Sequence, residues 1–595
     1  MQIPFISSLF HYFKYFYGYA GRKLFFLFFV IICGGLSEGL GISLLLPVLD
    51  FEPNTEATNA YSQIIYNFLE FIRVGVSLPS LLFLVFTAFI LKGIFYFSQV
   101  SITFYIITDL VKNIRTGFIN KYAAMDYSFY TNTDIGYLNN VVTIETDKAV
   151  AGLEKYTSVM VSIVFISVYV SAAFVINSTV TTLVLGISLI MFYFLRKLSG
   201  ILREMSIHIT DTNARIQSLL IQLIYNFKYL KATNGFTYLS KELGKYINKN
   251  CQYTFKSGVI HAIPTSIVEP SAILFMSGII TYYVAYQGQP MAEIMILLFF
   301  FYRTFIRIYD LPKAWQRFNT YIGSIEVVKK TTKDLHIHKE ATGSHIVSHF
   351  EKDISLREID FSYDRHKVIN NVSLVIPKNK SIGIVGESGA GKTTLFDLLT
   401  GLIIPQSGNI VIDGVDYRAL NLSSLRNIIG YVTQEPVIFN DTIANNISFW
   451  VSGNGDKSCT ERVKKAAKLA NCLSFVNEKE NGYNAIIGDK GIKLSGGQRQ
   501  RIAIARELFK DPEIMIFDEA TSSLDTESEK LIQQSINSMK GKRTIVIISH
   551  RLSTIRDCDY IFVLNKGRII EEGSFDELYG DKYSRFYSMC QAQNL

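Results

Sequence analysis

The stretch KSIGIVGESGAGKTTLFDLLTGL, Lys380–Leu402, decides how the second half of this chain is read. It passes from a β-like apolar segment through a glycine loop into a helix-compatible run. In that context GxxxxGK[ST] has a physical meaning: glycines let backbone N–H groups converge on phosphate oxygens at the positive end of a helix. Gly386, Glu387, Ser388, Gly389, Ala390, Gly391, Lys392, Thr393 and Thr394 are therefore expected to cradle a nucleoside triphosphate. Lys392 would reach the β- and γ-phosphates, and the Thr393 hydroxyl would face Mg²⁺.

Working outward, the apolar run IMIFDE (514–519) predicts a buried strand ending in Asp518, a partner for the metal's coordination shell. Glu519, one residue on, is placed to orient or deprotonate an attacking water. A second glycine-rich turn, KLSGGQRQRIAIAR at Lys493–Arg506, is unexpected in a domain that already has a phosphate loop.

The segments GESGAGKTT, YVTQEP, LSGGQRQR, IFDEATSSLD and ISH occur in the order and approximate spacing of an ATP-binding-cassette domain, which this region resembles over about 230 residues. The resemblance implies that Tyr363 stacks on adenine and that Gln434 touches Mg²⁺ and the lytic water. It implies that Ser523 and Asp525 form a loop communicating between sites and that His550 contacts the γ-phosphate. The motif reads SSLD where SALD is commoner, and the added hydroxyl leaves Asp525 in place. In this family Ser495, Gly496, Gly497 and Gln498 face the γ-phosphate bound by a second copy, which accounts for the second turn. Lys392, Gln434, Ser495, Glu519 and His550 are all intact, so a homodimer is expected, with a heterodimer as the alternative.

The first half has a different composition. The chain's 43 Phe and 34 Tyr go with only 18% charged residues, and its apolar excess lies before about residue 320. Six apolar runs, near 24–49, 79–108, 156–177, 179–200, 258–286 and 291–312, meet the roughly 20-residue length a bilayer requires. Basic residues flank them at Lys14, Arg22, Lys23, Lys112, Arg115, Lys121, Arg196, Lys197 and Arg203, which predicts cytoplasmic termini. The polar stretches 109–155 and 201–257 are expected to extend the membrane helices into the cytoplasm, and their aromatic turns at 125–138 and 223–236 either engage the ATP domain and transmit its motion or are solvated connecting helix. A net charge of +8 with dispersed Lys and Arg does not point to nucleic acid. The six Cys have no metal or disulfide spacing, and no cleaved signal peptide is evident.

One chain with six spans and one cassette resembles an ABC exporter half-transporter. The fold expected is multi-domain: an all-α six-helix transmembrane domain (1–325), a linker (326–351) and an α/β P-loop ABC ATPase domain (352–595). The segment SEGLGISLLLPVLDF (37–51) resembles a pattern of bacterial flippases of lipid-linked oligosaccharides and related glycolipid exporters. That resemblance implies an inner-membrane protein with a lipid-anchored glycan as cargo; export of plain lipids, peptides or drugs, or an ATP-gated channel, are the alternatives. The stretch 59–76 reads as an amphipathic helix with Ile64, Ile65, Phe68, Leu69 and Ile72 on one face against Ser62, Asn67, Glu70 and Arg73, either in the outer interface holding a polyprenyl tail or in an ordinary external loop. Lys92, Glu269, Arg303 and Arg307 are charges in or near spans, where each costs about 2.5–3.5 kcal/mol unless it faces a cavity or a partner. Either they line a substrate cavity, with the Arg pair taking phosphate bidentately, or Glu269 bridges Lys92 or an Arg structurally, or the Args lie at the cytoplasmic mouth.

Overall fold

The computed structural model describes residues 5–49, 51, 60–71, 73–176, 178–282, 291–363, 366–451, 457–521 and 524–593. The chain divides into two compact units, Met1–Ala123 with Thr133–Ile337, and Ala124–Asn132 with His338–Leu595.

The first unit is helical: α1 Phe5–Ala20, α2 Arg22–Ser43, α3 Leu45–Leu49, α4 Ala60–Phe71 and α5 Leu78–Ala123 come first. After a short helix α6, Tyr127–Thr131, which belongs to the second unit, come α7 Ile135–Asn140, α8 Thr146–Ile176, α9 Ser178–Tyr225, α10 Phe227–Ala232, α11 Phe236–Ile280 and α12 Met291–Ile337. Each expected span falls on helix, with residues 177 and 283–286 outside the described residues. Among the described residues, Arg22–Leu49, Leu78–Ala123 and Ile135–Val175 contain a run long and apolar enough to cross a bilayer. The first span is interrupted at Leu44, between α2 and α3. Pro47 explains the break, since its ring excludes a regular turn onto the carbonyl of Ser43, the last residue of α2.

Contacts along α2 fix how its neighbours run. Gly41 meets Phe89, Glu38 meets Lys92 and Gly34 meets Phe95, so α5 passes α2 antiparallel. The Lys23–Asp109 ion pair, 2.8 Å, continues the same register. Against α8 the series is parallel, with Gly35 at Val164 and Gly39 at Val168. A methyl group on Gly39 would lie 2.6 Å from Val168 Cγ1. Small residues permit this approach, and van der Waals packing holds helices together where lipid offers no hydrophobic drive.

Helix α4 departs from the expected amphipathic split. Ser62, expected on the polar face, is buried together with Leu69, while Ile64, Phe68 and Phe71 are exposed at i, i+4, i+7. Helix α4 packs against α3. Ile72 lies outside the described residues.

The second unit holds two sheets. Strands β1 Asp353–Tyr363, β2 His366–Pro377, β4 Ser407–Ile412 and β5 Val415–Asp416 form an antiparallel sheet ordered β2-β1-β4-β5. Strands β3 Ser381–Gly386, β6 Ile429–Val432, β7 Ile514–Asp518, β8 Thr544–Ile548, β9 Tyr560–Asn565 and β10 Arg568–Gly573 form the other, ordered β10-β9-β3-β8-β7-β6. Within it β9, β3, β8, β7 and β6 are parallel. β3, β7 and β8 are buried along their whole length, as expected of strands covered on both faces. The turn Ala124–Asn132 belongs to this unit: Asp126 N–H donates to the His338 carbonyl, Phe129 stacks on His338, and Tyr127 packs on the apolar cluster that includes Phe396.

Replacing Gly39 by Ala is expected to destabilise the first unit by about 1–3 kcal/mol through overpacking. Gly93→Ala, where an added methyl meets nothing within 4 Å, should be neutral or mildly stabilising. Thermal unfolding of the purified variants in detergent checks the contrast; equal behaviour would contradict the close α2–α8 approach.

Candidate functional site

The four parallel strands β3, β8, β7 and β6 lie side by side, and the loop after each supplies a predicted residue. In sheet order these are Lys392, His550, the Asp518–Glu519 pair and Gln434. Ligand sites in parallel sheets form at these carboxyl ends.

The loop after β3 is shaped by glycine. Gly389 and Gly391 have φ of +79° and +102°, conformations that side chains disfavour. Lys392 starts the helix Lys392–Leu399 and is buried. Its ammonium donates to the carbonyls of Gly386 and Glu387 at 2.9 and 3.0 Å. Burial lowers its pKa, and the nearby Glu519 and Asp518 charges act in the opposite direction.

Asp518 closes β7 and is buried. Desolvation, reinforced by the adjacent Glu519 charge, raises its carboxyl to about 6 against the pull of Lys392. Glu519 has a φ of +46°, unusual for a residue with a side chain and worth about 1–3 kcal/mol of strain. Its Oε2 accepts from Gln434 Nε2 at 2.8 Å and lies 3.2 Å from His550 Nδ1. Three predicted residues from three strand ends therefore meet on one carboxylate. Asp397, one turn along the helix Lys392–Leu399, is also raised to about 6, by burial and then by Asp518.

Tyr363 ends β1 half-exposed, within reach of Thr394 at the start of the phosphate-loop helix. Ser495 caps the helix Gly496–Phe509 in a reciprocal capping box: Gln498 N–H donates to its hydroxyl at 3.2 Å, and its own N–H donates to Gln498 Oε1 at 3.1 Å. A methyl on Gly497 would lie 2.2 Å from Ser528 Oγ, whereas one on Gly496 would make only ordinary contact with Leu524. Gln500, on the same helix, donates to the Thr433 carbonyl beside Gln434 at 3.1 Å. Asp525 caps the helix Thr526–Met539 by accepting from Ser528 N–H at 3.0 Å; Ser523 lies outside the described residues.

The sequence reading missed two further contacts. Gln593 donates to the His550 carbonyl at 2.6 Å and accepts from Leu552 N–H at 3.0 Å, bracketing the loop that carries His550. Arg585, at the start of the last helix, pairs with Glu387 of the phosphate loop. Neither residue lies in a motif.

In the helical unit, Lys92 Nζ lies 2.9 Å from Glu38 Oε2 and Arg303 Nη1 lies 3.8 Å from Glu38 Oε1. The guanidinium of Arg307 sits over the Phe165 ring at 4.8 Å. Among the described residues the ionic partner of Lys92 is Glu38, which stands opposite it in the α2–α5 register. The side chain of Glu269 lies outside the described residues.

A family profile described as ABC transporter matches residues 369–522, and one described as ABC transporter transmembrane region matches residues 24–309. The chain is 31% identical over 520 residues to an ATP-dependent lipid A-core flippase of Desulfotalea psychrophila, covering 84% of this chain and 88% of that one. The chain belongs to the ABC transporter family. This ABC exporter is also 32% identical over 471 residues to the heterocyst differentiation ATP-binding protein HepA of a Nostoc species, covering 79% and 77% of the two chains. Its fold matches a bacterial Atm1-family ABC exporter with ATP bound, at 22% identity and a TM-score of 0.73 over 97% of this chain and 99% of that one. With a membrane region and one cassette in a single chain it has half-transporter architecture, and its cassette hydrolyses ATP to drive transport.

The donor set suits a metal that arrives with a nucleotide. Among the described residues no group of three or more His, Cys, Asp and Glu could hold an ion unaided. Mg²⁺ is commonly held by one or two carboxylates together with substrate phosphates, and the crowded acids Asp518 and Glu519 favour a cation between them and the phosphates.

The raised Asp518 carboxyl gives binding a pH dependence. Below about 6 it carries a proton that a metal must displace, so Mg²⁺-dependent binding of a non-hydrolysable ATP analogue should weaken by up to about tenfold per pH unit. Without nucleotide the sign reverses. A carboxyl raised above its unfolded value of about 4 adds stability that is complete below that value and lost as pH rises through about 6. Isothermal titration and melting curves from about pH 4 to about pH 7, a range that takes in both pKa values, check both signs. Gln593→Ala should lower the hydrolysis rate more than it raises the KM for ATP, because it frees the His550 loop without touching the nucleotide cradle; equal changes in both would contradict that role.

Proposed function

We propose that this exporter is a homodimeric flippase that carries a lipid-anchored anionic glycan, or a similar glycolipid, across a bacterial inner membrane, with both termini and the cassette cytoplasmic. The observation that carries the cargo reading is that Lys92 and Arg303 share the buried Glu38 carboxylate inside a helical membrane unit, with Arg307 one turn beyond Arg303 over Phe165. Charges are expensive in that setting, and Arg offers planar, bidentate recognition of phosphate. The lipid A-core flippase among the relatives supports a glycolipid as the class.

In the cassette, Lys392 and the backbone of Gly386–Thr394 hold the phosphates, Thr393, Gln434 and Asp518 complete the shell of Mg²⁺, and Tyr363 stacks on the base. Mg²⁺, when bound, neutralises charge on the phosphate oxygens. Glu519 orients the attacking water and takes its proton, held for this by Gln434 and by His550, which also faces the γ-phosphate. Ser523 and Asp525 form the loop between the two sites.

The signature turn supports two copies. Its Ser495–Gln498 segment makes no hydrogen bond to the phosphate loop among the described residues. Gly497 has a steric reason inside its own chain, but Gly496 has none, as expected of a position kept small for a surface on another molecule. Tyr127, packed on the cassette core with Tyr431, links the first cytoplasmic turn to the strand that leads to Gln434.

Glu519→Gln should cut ATP hydrolysis by about 10²–10⁴-fold while nucleotide binding survives. In liposomes containing the purified chain, a labelled lipid-linked oligosaccharide should cross with ATP, not with this variant, and a plain phospholipid should not cross. Hydrolysis without glycolipid movement would reject the cargo and keep the motor. Lys392→Ala and Ser495→Arg chains, each inactive alone, should regain nucleotide occlusion when co-expressed, because a mixed pair contains one intact composite site. No recovery would reject the composite dimer.

A further inference from the structure

Among the described residues Glu38 is the most deeply buried charge in the helical unit. Its side chain is 1% exposed, and the Tyr169 hydroxyl lies against its carboxylate. It lies on α2 beside Gly39 and Gly41, whose lack of side chains draws α8 and α5 onto the helix. Its ionic partners are unequal. Lys92 is close, at 2.9 Å, whereas Arg303 is 3.8 Å away, beyond hydrogen-bond length, with a side chain 40% exposed. Arg307, one turn beyond Arg303, is held over Phe165, and both arginines act electrostatically on Tyr169, the neighbour of Glu38.

One carboxylate therefore serves two cations, with a third, Arg307, one turn further along the helix, and its hold on Arg303 is slack. A carboxylate brings one negative charge and two oxygens. A phosphate or diphosphate brings more charge and more oxygens, and can engage the fork of an arginine in parallel bonds. Such an anion would outcompete Glu38 for Arg303 while Lys92 kept Glu38 neutralised in its buried place.

We infer that Glu38 is the resident counter-ion of this cluster, which an anionic phosphate headgroup displaces from Arg303 and which returns to Arg303 when the headgroup leaves. The inference rests on the proposed reading of the cluster as a headgroup site. It gives Glu38 two effects. Competition sets a threshold, so a dianionic or diphosphate group binds and a group with a single weak charge does not. Competition also keeps binding shallow enough for release, because the site never has to face its cations unpaired.

The test uses the full-length protein in phosphatidylcholine nanodiscs, with farnesyl diphosphate, farnesyl monophosphate, farnesol and inorganic pyrophosphate as probes. Glu38→Gln should tighten farnesyl diphosphate binding by about tenfold and narrow its preference over the monophosphate, because a competing charge has gone. Glu38→Asp, which retains the charge but shortens its reach, should tighten binding by less, and serves if Glu38→Gln fails to fold. In diphosphate-stimulated ATP hydrolysis Glu38→Gln should lower KM and kcat together, a signature of slow release that a merely structural role would not produce. Adding Arg303→Gln to Glu38→Gln should abolish the gain.

Weaker or unchanged diphosphate binding in both Glu38 variants, with Arg303→Gln alone still weakening it, overturns the counter-ion role and leaves the headgroup site standing. Unchanged binding in Arg303→Gln and Arg307→Gln overturns the headgroup site itself. Binding of farnesyl diphosphate but not inorganic pyrophosphate assigns the anion to a lipid headgroup. Equal binding of the two assigns it to a free phosphate and overturns the lipid part of the proposal.

Discussion

The close approach of α2 to its neighbours at Gly39 and Gly41 is the constraint from which the membrane half follows. With no side chain at either position, α8 and α5 come near enough that the residue just before them is sealed from solvent. That residue is Glu38. An ionised carboxylate in such a place is destabilising by several kcal/mol unless a cation reaches it, and the antiparallel α2–α5 register brings Lys92 opposite. Arg303 comes from α12, so three helices meet at this charge. Glycine positions, register and charge pairing are one arrangement, and altering any of them disturbs the others.

The cassette obeys a different constraint. Its parallel strands must be covered on both faces, which leaves their carboxyl ends as the place where polar residues collect. β3, β8, β7 and β6 are adjacent, so the loops after them bring together residues far apart in the chain, from Gly386 to His550. Glu519 pays for its position with a left-handed backbone. That conformation points its carboxylate back toward Gln434 and His550 rather than along the strand.

Much of this could be read in the sequence because it depends on local order. A strand, a glycine turn and a helix in succession specify the phosphate loop, and apolar runs of bilayer length fall on α2, α5, α8, α9, α11 and α12. What escaped depends on packing between distant segments. Glu38 stood inside a quoted motif, yet nothing in its neighbours along the chain says that Lys92 lies opposite, since that follows from helix register. Gln593 and Arg585 reach the His550 loop and Glu387 only because the last helix folds back on the sheet. Along α4, polarity alone put Ser62 outward, whereas the folded chain buries it.

The two halves share one electrostatic device. In the cassette, the Lys392 ammonium rests on the carbonyls of Gly386 and Glu387, neutral acceptors that hold a cation less strongly than phosphate oxygens do. In the helical unit, Arg303 rests at a stretched distance from Glu38, a weaker counter-ion than a phosphate group. Each cation has an internal ligand good enough to keep it in place and poor enough to yield to phosphate. A bare cation would bind its anion too tightly to release it, and a fully satisfied one would not bind at all. On the proposed reading of the cluster, the stretched Arg303–Glu38 pair would let a headgroup site fill and empty, as neutral carbonyl acceptors let Lys392 yield to phosphate.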